Sequence, residues 1–271
     1  MNPDIRLLQM NDLYAIKDLA KLIWDGDDYL GKVAKTWLED GGFIGMWDDD
    51  KLIGSAKITR LPNQVIWLEG LRIHPEYQGK GLGKKLSGVV LDTALQLVRS
   101  GEADYIEFST YYKNEESIHI ATQEGFKLID EYYILSHKSV KPTSTNHTYR
   151  VHDDVTDYFP TTFPFGWKFL HPTKPSLNWL NKRVTMLKAG GGHFYIGGEP
   201  ATVCLLSPAE EWVEKAMPIM QYFLGKKQPI EIMLHASRKA EIEILQTYDF
   251  HWWEDEIEDK VVIYRYQPDK A

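Results

Sequence analysis

Along the first half of the chain, apolar positions alternate between the period of a strand and that of a helix. Ile5 to Leu8 is a short apolar-rich run, and Asn11-Asp12 then supplies an N-cap for Leu13, Ile16, Leu19, Ala20 and Ile23 on one helical face. Gly26-Asp27-Asp28 breaks that helix, and a second short one carries Val33, Ala34, Trp37 and Leu38 before Gly41-Gly42 ends it. Phe43 to Trp47 and Leu52 to Leu61 read as a hairpin turned by Asp48-Asp49-Asp50, and after the Pro62-Asn63 turn Val65 to Ile73 reads as a third antiparallel strand. Beyond a glycine-rich stretch, Leu86, Val89, Val90, Ala94, Leu97 and Val98 trace a helical stripe to Gly101. Tyr105 to Phe108 predicts a strand, Glu115 to Glu124 a helix stopped by Gly125, and Phe126 to Leu135 a strand.

The pattern then lapses. Residues 138–150 lose apolar periodicity and gain Ser, Thr, Lys and Pro, which predicts a linker between a first domain, 1–137, and a second, 151–271. The stretch to Gly198, rich in aromatics, Pro and Gly (Tyr158-Phe159-Pro160, Phe163-Pro164-Phe165-Gly166-Trp167), gives no clear period. Order returns as a strand over Thr202 to Leu206, a helix over Trp212 to Leu224, and then strand, helix and strand. At a shift of 124 positions, Ile106-Glu107-Phe108 falls on Ile230-Glu231-Ile232, and Gly125-Phe126 falls on Asp249-Phe250. The shared order of strand, helix, aromatic and strand reads as a duplicated half-fold.

Composition narrows the function. With 43% hydrophobic and 26% charged residues, the chain has the material for a well-buried core. A net charge of −8 argues against a nucleic-acid partner, so any phosphate-rich ligand has to be held by local backbone donors and a few lysines. One cysteine, Cys204, rules out an internal disulfide and fits a reducing, cytoplasmic compartment. No apolar run is long enough to span a bilayer, and the scattered histidines show no metal-ligand spacing, so neither a membrane nor a metal is expected. A homodimer is left open.

The segment Gln78-Gly79-Lys80-Gly81-Leu82-Gly83 follows a strand and opens a helix, an arrangement that aims unpaired N–H groups and a positive helix end at phosphate oxygens. Glycines suit such a loop, where a Cβ would obstruct a pyrophosphate and turn residues often need positive φ. A dinucleotide fingerprint fails, because its third glycine falls on Lys84 or Leu86, and a Walker A pattern fails as well. What the segment does match is the Q/R-x-x-G-x-G/A signature of the GNAT N-acetyltransferases. Leu71 to Tyr77 is similar to that family's fourth strand and its exit, and Asn114 precedes Gly125-Phe126 by 11 positions, as in the family's N...GF helix.

The resemblance implies an α/β (α+β) GNAT fold over the first domain: a mixed, mostly antiparallel sheet with helices on both faces, the second domain being a degenerate GNAT-like half. It implies acetyl-CoA as co-substrate, bound by the backbone of Gln78, Gly79, Lys80, Gly81, Leu82 and Gly83, with Lys80 or Lys84 near a phosphate. Leu71 and Ile73 would offer main-chain bonds to the pantetheine arm, which Asn114 would also meet. Glu69, on the fourth strand, is the candidate general base for removing a proton from the attacking amine. Many relatives carry a tyrosine acid four residues before the GF glycine, where this chain has Ala121; Tyr111, Tyr112 and His119 lie nearby in sequence.

Acceptor specificity in this fold tends to come from the first two helices and their loop. There Asp27 and Asp28 are candidates to hold an ammonium group, and Tyr29 or Trp24 to stack on a ring. Asp28-Tyr29-Leu30, Trp37-Leu38 and Leu68 to Ile73 also look like the vertebrate histidine N-acetyltransferase-like proteins, which implies a free amino acid as acceptor. The expected activity is acetyl transfer to a primary amine of a small molecule. The alternatives are a non-catalytic acyl-CoA-binding sensor and a protein lysine or N-terminal acetyltransferase.

Overall fold

The computed structural model describes residues 3–26, 28–144, 161–254 and 256–267. From residue 145 onward the expected linker lies outside the described residues, as do Tyr158-Phe159-Pro160 and Asp27. Contacts divide the chain into two compact units. Unit 1 comprises 1–108, 119–127 and 265–271, and unit 2 comprises 109–118 and 128–264.

Unit 1 opens with β1 (Asp4–Leu7), α1 (Leu13–Ala20) and α2 (Leu30–Asp40). The predicted stripe of α1 buries Ile16, Leu19 and Ala20, and α2 buries Leu30, Val33, Ala34 and Trp37. These residues form one core with Leu8, Ile23, Phe43, Trp47 and Leu52. Strands β2 (Phe43–Asp48), β3 (Lys51–Leu61) and β4 (Val65–Ile73) pair antiparallel in sequence order, with β1 on the outer side of β2. Leu52 to Ile58 are buried without alternation, so both faces of β3 are covered, and α1 and α3 (Leu82–Arg99) each pack on it. Strand β5 (Tyr105–Tyr111) then joins β4 in parallel, as a strand following a crossover helix must.

One irregularity in β4 has consequences for the site. Ser55 faces Arg72 and Lys57 faces Glu69, so Ala56 of β3 stands opposite two residues, Gly70 and Leu71. This β-bulge has Gly70 at φ +69°, and a Cβ there would lie 2.5 Å from Cζ3 of Trp37. The bulge reverses which face the following side chains present.

The C-terminal half of α4 (Glu115–Glu124), the first residues of β6 (Phe126–His137) and residues 265–267 also belong to unit 1. There Arg265 Nε donates to the fully buried Glu107 at 2.6 Å, and the ring of Tyr266 meets Phe126 edge-on.

Unit 2 contains the small hairpin β7 (Phe163–Phe165) and β8 (Lys168–Leu170), then α5 (Lys174–Leu180), β9 (Thr185–Ala189), β10 (Gly192–Gly197), β11 (Thr202–Leu205), α6 (Trp212–Leu224), β12 (Ile230–His235), α7 (Glu241–Thr247), β13 (His251–Trp252) and β14 (Lys260–Tyr266), whose last two residues fall in unit 1. Strands β9, β10 and β11 pair antiparallel and β12 joins β11 in parallel. This is the order and sense of β2, β3, β4 and β5, again with a helix before and after the parallel strand. Gly125 and Asp249, matched at the 124-residue shift, both have left-handed backbone (φ +94° and +61°), and each precedes a buried phenylalanine. Aromatic and aliphatic side chains from Phe194, Trp212, Met220, Ile232 and Phe250 fill the main core, and Phe163, Leu180, Tyr195 and Cys204 fill a smaller one. Among the described residues no helix is long and apolar enough to cross a membrane.

Candidate active site

The glycine loop sits at the junction of β4 and α3. Beyond Ile73, His74 N–H donates to Ile53 O at 2.8 Å, and its buried ring accepts from Glu76 N–H at 3.2 Å, starting a tight 3-10 turn over Pro75 to Tyr77. Burial first, and then Lys51, holds the His74 imidazole below its usual pKa, so it stays neutral and able to accept. Tyr77 donates to Asp48 at 2.9 Å and Lys51 pairs with Glu76 at 3.0 Å, which fastens this exit to the β2–β3 turn.

The loop itself is exposed, and Gly79 and Gly81 have φ of +70° and +73° with open space where a Cβ would stand. Both need glycine for backbone reasons, and neither is filled by the protein. Gly81 caps α3, and the first helical bond runs from Lys85 N–H to Gly81 O at 3.1 Å. The N–H groups of Leu82, Gly83 and Lys84 therefore precede the i→i−4 ladder, and the first turn carries no acidic residue. Lys80 Nζ rests on Glu76 O at 2.8 Å and Lys84 Nζ on Gln123 Oε1 at 3.0 Å, both at exposed positions from which an ammonium can swing. Gln78 turns back to donate to Ile73 O at 3.1 Å. Donors, positive helix end and lysines fit a pyrophosphate.

Strand β4 leads into this loop. Its ladder to β5 covers Val65, Ile66 and Trp67, paired with Tyr105, Ile106 and Glu107. Leu68 to Ile73 continue past that ladder, so the main chain of Leu71 and Ile73 is not part of the β5 pairing. Glu69 is half-buried on the stretch between ladder and bulge, and its Oε1 accepts from Thr59 Oγ1 at 2.5 Å.

The segment joining α1 to α2 adjoins the same strand. Trp24, Asp25 and Gly26 run consecutively through left-handed backbone, at φ of +48°, +53° and +94°, a costly conformation for the first two. Asp28, whose side chain is fully buried, receives Arg72 Nε at 2.8 Å and Nη2 at 3.3 Å, and also Leu30 N–H at 3.0 Å. Its carboxylate is thus engaged by the protein. The Arg72 guanidinium lies 4.2 Å from the Trp24 ring centroid and 5.5 Å from that of Tyr29. Burial above all raises the pKa of Tyr29, opposed by Arg72 and reinforced by Glu69 and Asp28, so the phenol stays neutral among these charges. Arg72 was not singled out from sequence; its signal was a cation near the end of a strand whose one other charged residue is Glu69.

Ala121 is buried on α4, so no side-chain hydroxyl stands at that position. His119, in unit 1, is exposed and contacts Gln123 at 3.0 Å. In unit 2, Asn114 Oδ1 caps α4 by accepting Ser117 N–H at 3.2 Å. Tyr111, also in unit 2, donates to the buried Asp259, and its hydroxyl pKa is raised, first by burial and then by that carboxylate. Burial pushes the Cys204 thiol up to about 12, which leaves it inert.

The corresponding junction of unit 2, between β11 and α6, is occupied by the protein itself. Ala209 N–H donates to Glu241 Oε2 at 2.6 Å, and Arg238 grips the same carboxylate through Nε and Nη2, each at 2.7 Å. A cavity of about 590 Å³ beside it is lined by Gly190, Glu210, Glu211, Trp212, Lys215 and Tyr248 among others. Among the described residues, no three His, Cys, Asp or Glu side chains cluster as a metal site.

The profile of the acetyltransferase (GNAT) family matches residues 10–126. No curated protein matches the chain significantly. Solved structures similar over nearly its whole length include a putative acetyltransferase from Thermoplasma acidophilum, with 19% identity, a TM-score of 0.65 and coverage of 97% of this chain and 99% of that one. Another is a putative acetyltransferase from Pyrococcus horikoshii, with 13% identity, a TM-score of 0.67 and coverage of 99% and 90%. A third is a GCN5-related N-acetyltransferase from Sphaerobacter thermophilus, with 13% identity, a TM-score of 0.62 and coverage of 99% and 98%. These likenesses establish a shared fold that includes both units. The strand, bulge, glycine loop and helix described above all fall inside residues 10–126, the segment that matches the acetyltransferase (GNAT) family.

Proposed function

We propose that the chain moves the acetyl group of acetyl-CoA to the primary amine of a small molecule, an amino acid being the preferred class. The observation that carries this reading is the open glycine cradle at the end of a strand that also bears Glu69 and has main-chain groups beyond its ladder. Acetyl-CoA supplies an activated acetyl thioester. The N–H groups of Leu82 to Lys84 and the ammonium groups of Lys80 and Lys84 hold its pyrophosphate, and Leu71 and Ile73 present main-chain groups to the pantetheine arm. Glu69 takes the proton of the amine as nitrogen attacks the acetyl carbon and the carbon–sulfur bond breaks; the departing sulfur is protonated from solvent.

The acceptor side is assigned to Asp28 and Tyr29, with Asp27 beside them in sequence. Asp28 acts through Arg72, whose cationic face, held against Trp24 and Tyr29, suits the carboxylate of an amino acid better than a second ammonium. This agrees with the likeness to histidine N-acetyltransferase-like proteins. Release of free thiol from acetyl-CoA, measured with amino acids, polyamines, aminoglycosides and lysine peptides in turn, tests the assignment. Turnover confined to amino acids is expected, and turnover of peptides alone would overturn it. The buried Ala121 favours one other reading, a sensor that binds acyl-CoA without turnover, which predicts CoA binding with silence across the whole panel.

A further inference from the structure

Lys57 is fully buried in the middle of β3, where an apolar side chain would avoid the loss of solvation that a buried ammonium suffers. Its three protons have three acceptors: Asp40 Oδ2 at 2.7 Å, Ile58 O at 2.8 Å and Thr59 Oγ1 at 3.0 Å. Asp40 is 57% exposed, so the charge is balanced at the surface without burying a carboxylate. Because Lys57 donates into the oxygen of Thr59, the single hydroxyl proton of Thr59 is left to point at Glu69 Oε1, 2.5 Å away. Lys57 and Thr59 are two residues apart and so share one face of β3, and Glu69 stands opposite Lys57 in the ladder, immediately before the bulge. Every bond in the series Lys57, Thr59, Glu69 therefore runs in one direction.

We infer that Thr59, with its hydroxyl oriented by the buried Lys57, is a positioning residue that fixes the carboxylate of Glu69 for proton abstraction. The inference rests on Glu69 being the base. A carboxylate on a side chain with three rotatable bonds loses most of its rotational freedom when one oxygen is held by a hydroxyl whose own orientation is dictated from behind. Geometry of this kind governs the rate of a proton transfer, whereas CoA affinity is set at the glycine loop.

Full-length Glu69→Gln, Thr59→Val, Thr59→Ser and Lys57→Met are compared by kcat, by KM for acetyl-CoA and for the best acceptor of the panel, and by thermal unfolding. Glu69→Gln should lower kcat by about a hundredfold or more. Thr59→Val should lower it by about tenfold with an unchanged KM for acetyl-CoA, and Thr59→Ser, which keeps the hydroxyl, should stay within about twofold. Lys57→Met combined with Thr59→Val should be no slower than the slower single variant, because both act through one series of bonds. A merely structural role reverses the order, since Val fills the site of Thr59 better than Ser. If Thr59→Val keeps full kcat while Glu69→Gln is slow, the positioning role is wrong and the base stands. If Glu69→Gln keeps full kcat, or if no amine is turned over, both fall.

Discussion

Two strand-to-helix junctions in this chain share a topology and differ in what they offer an anion. In unit 1, β4 passes into α3 through Gly79 and Gly81, whose Cβ positions are empty, and the first helical turn offers N–H groups and Lys84 and Lys85 with no acid. In unit 2, β11 passes into α6 through Leu206-Ser207-Pro208-Ala209-Glu210-Glu211, with no glycine, and the first turn of α6 carries Glu214. There a backbone N–H, that of Ala209, already has a carboxylate from Glu241, clamped by Arg238. Trp212 at the start of α6 packs flat on β10, where a Cβ on Gly192 would lie 1.9 Å from its ring. The fold alone thus does not make a phosphate site. On the proposed reading, vacant glycine and a helix start without its own acid do, and the β11–α6 junction has neither.

The largest effect that would break this contrast comes from the cradle. Gly81→Val forces a β-branched residue into left-handed backbone and fills the anion position, and should weaken CoA binding by about 3 kcal/mol, roughly a hundredfold, as read by calorimetric titration. Unchanged affinity would remove the loop from the site. A smaller effect is expected at the other junction. Glu241→Ala leaves Arg238 and the Ala209 N–H without their carboxylate and should destabilise unit 2 by about 2 kcal/mol, seen as faster hydrogen exchange in α6 and β11. It should create no second CoA site, because Trp212 and Glu214 remain; a second binding event in the titration would show that the carboxylate alone kept CoA out.

The smallest effect concerns acid. Burial raises the pKa of Asp130 in unit 2, but bonds from His235, Thr161 and Thr162 outweigh it and hold the carboxyl below its ordinary value. A group depressed in the folded state contributes stability above its unfolded pKa and loses it as pH falls through the folded one. Exchange protection in unit 2 should therefore decline below about pH 4, and Asp130→Asn should flatten that decline. An unaltered slope would assign acid sensitivity to other carboxyls.

Much of unit 1 was legible from sequence because its helices and strands have clean periods and its turns carry Gly, Pro and Asp. Asn11-Asp12, Gly41-Gly42 and Gly125 mark element ends that the structure reproduces within a few residues. At the 124-residue shift the sequence aligns β5 with β12, and Gly125 with Asp249, which shares its left-handed backbone. Residues 163–197 were not, since β7 to β10 are strands of three to six residues, rich in aromatics and glycine, whose order comes from packing on Tyr195 and Trp212. Side-chain partnerships were hidden too. Asp28 meets Arg72 across 44 positions, and Thr59 meets Glu69 only because β3 and β4 hold their register up to the Gly70 bulge, whose one-residue slip no period announces. The carboxylate read as an acceptor for an ammonium group is consequently found on an arginine.

The Glu241 carboxylate makes the two units answer differently to the metabolic state of their surroundings. A site that takes its anion from solution gains stability as the logarithm of ligand concentration, about 2.7 kcal/mol at a hundred times the dissociation constant. An anion built into the chain is always present at the same effective concentration and adds a constant. With acyl-CoA bound at the glycine loop as proposed, its abundance would tune the persistence of unit 1 against unfolding and proteolysis, whereas the Glu241 carboxylate in unit 2 is independent of supply.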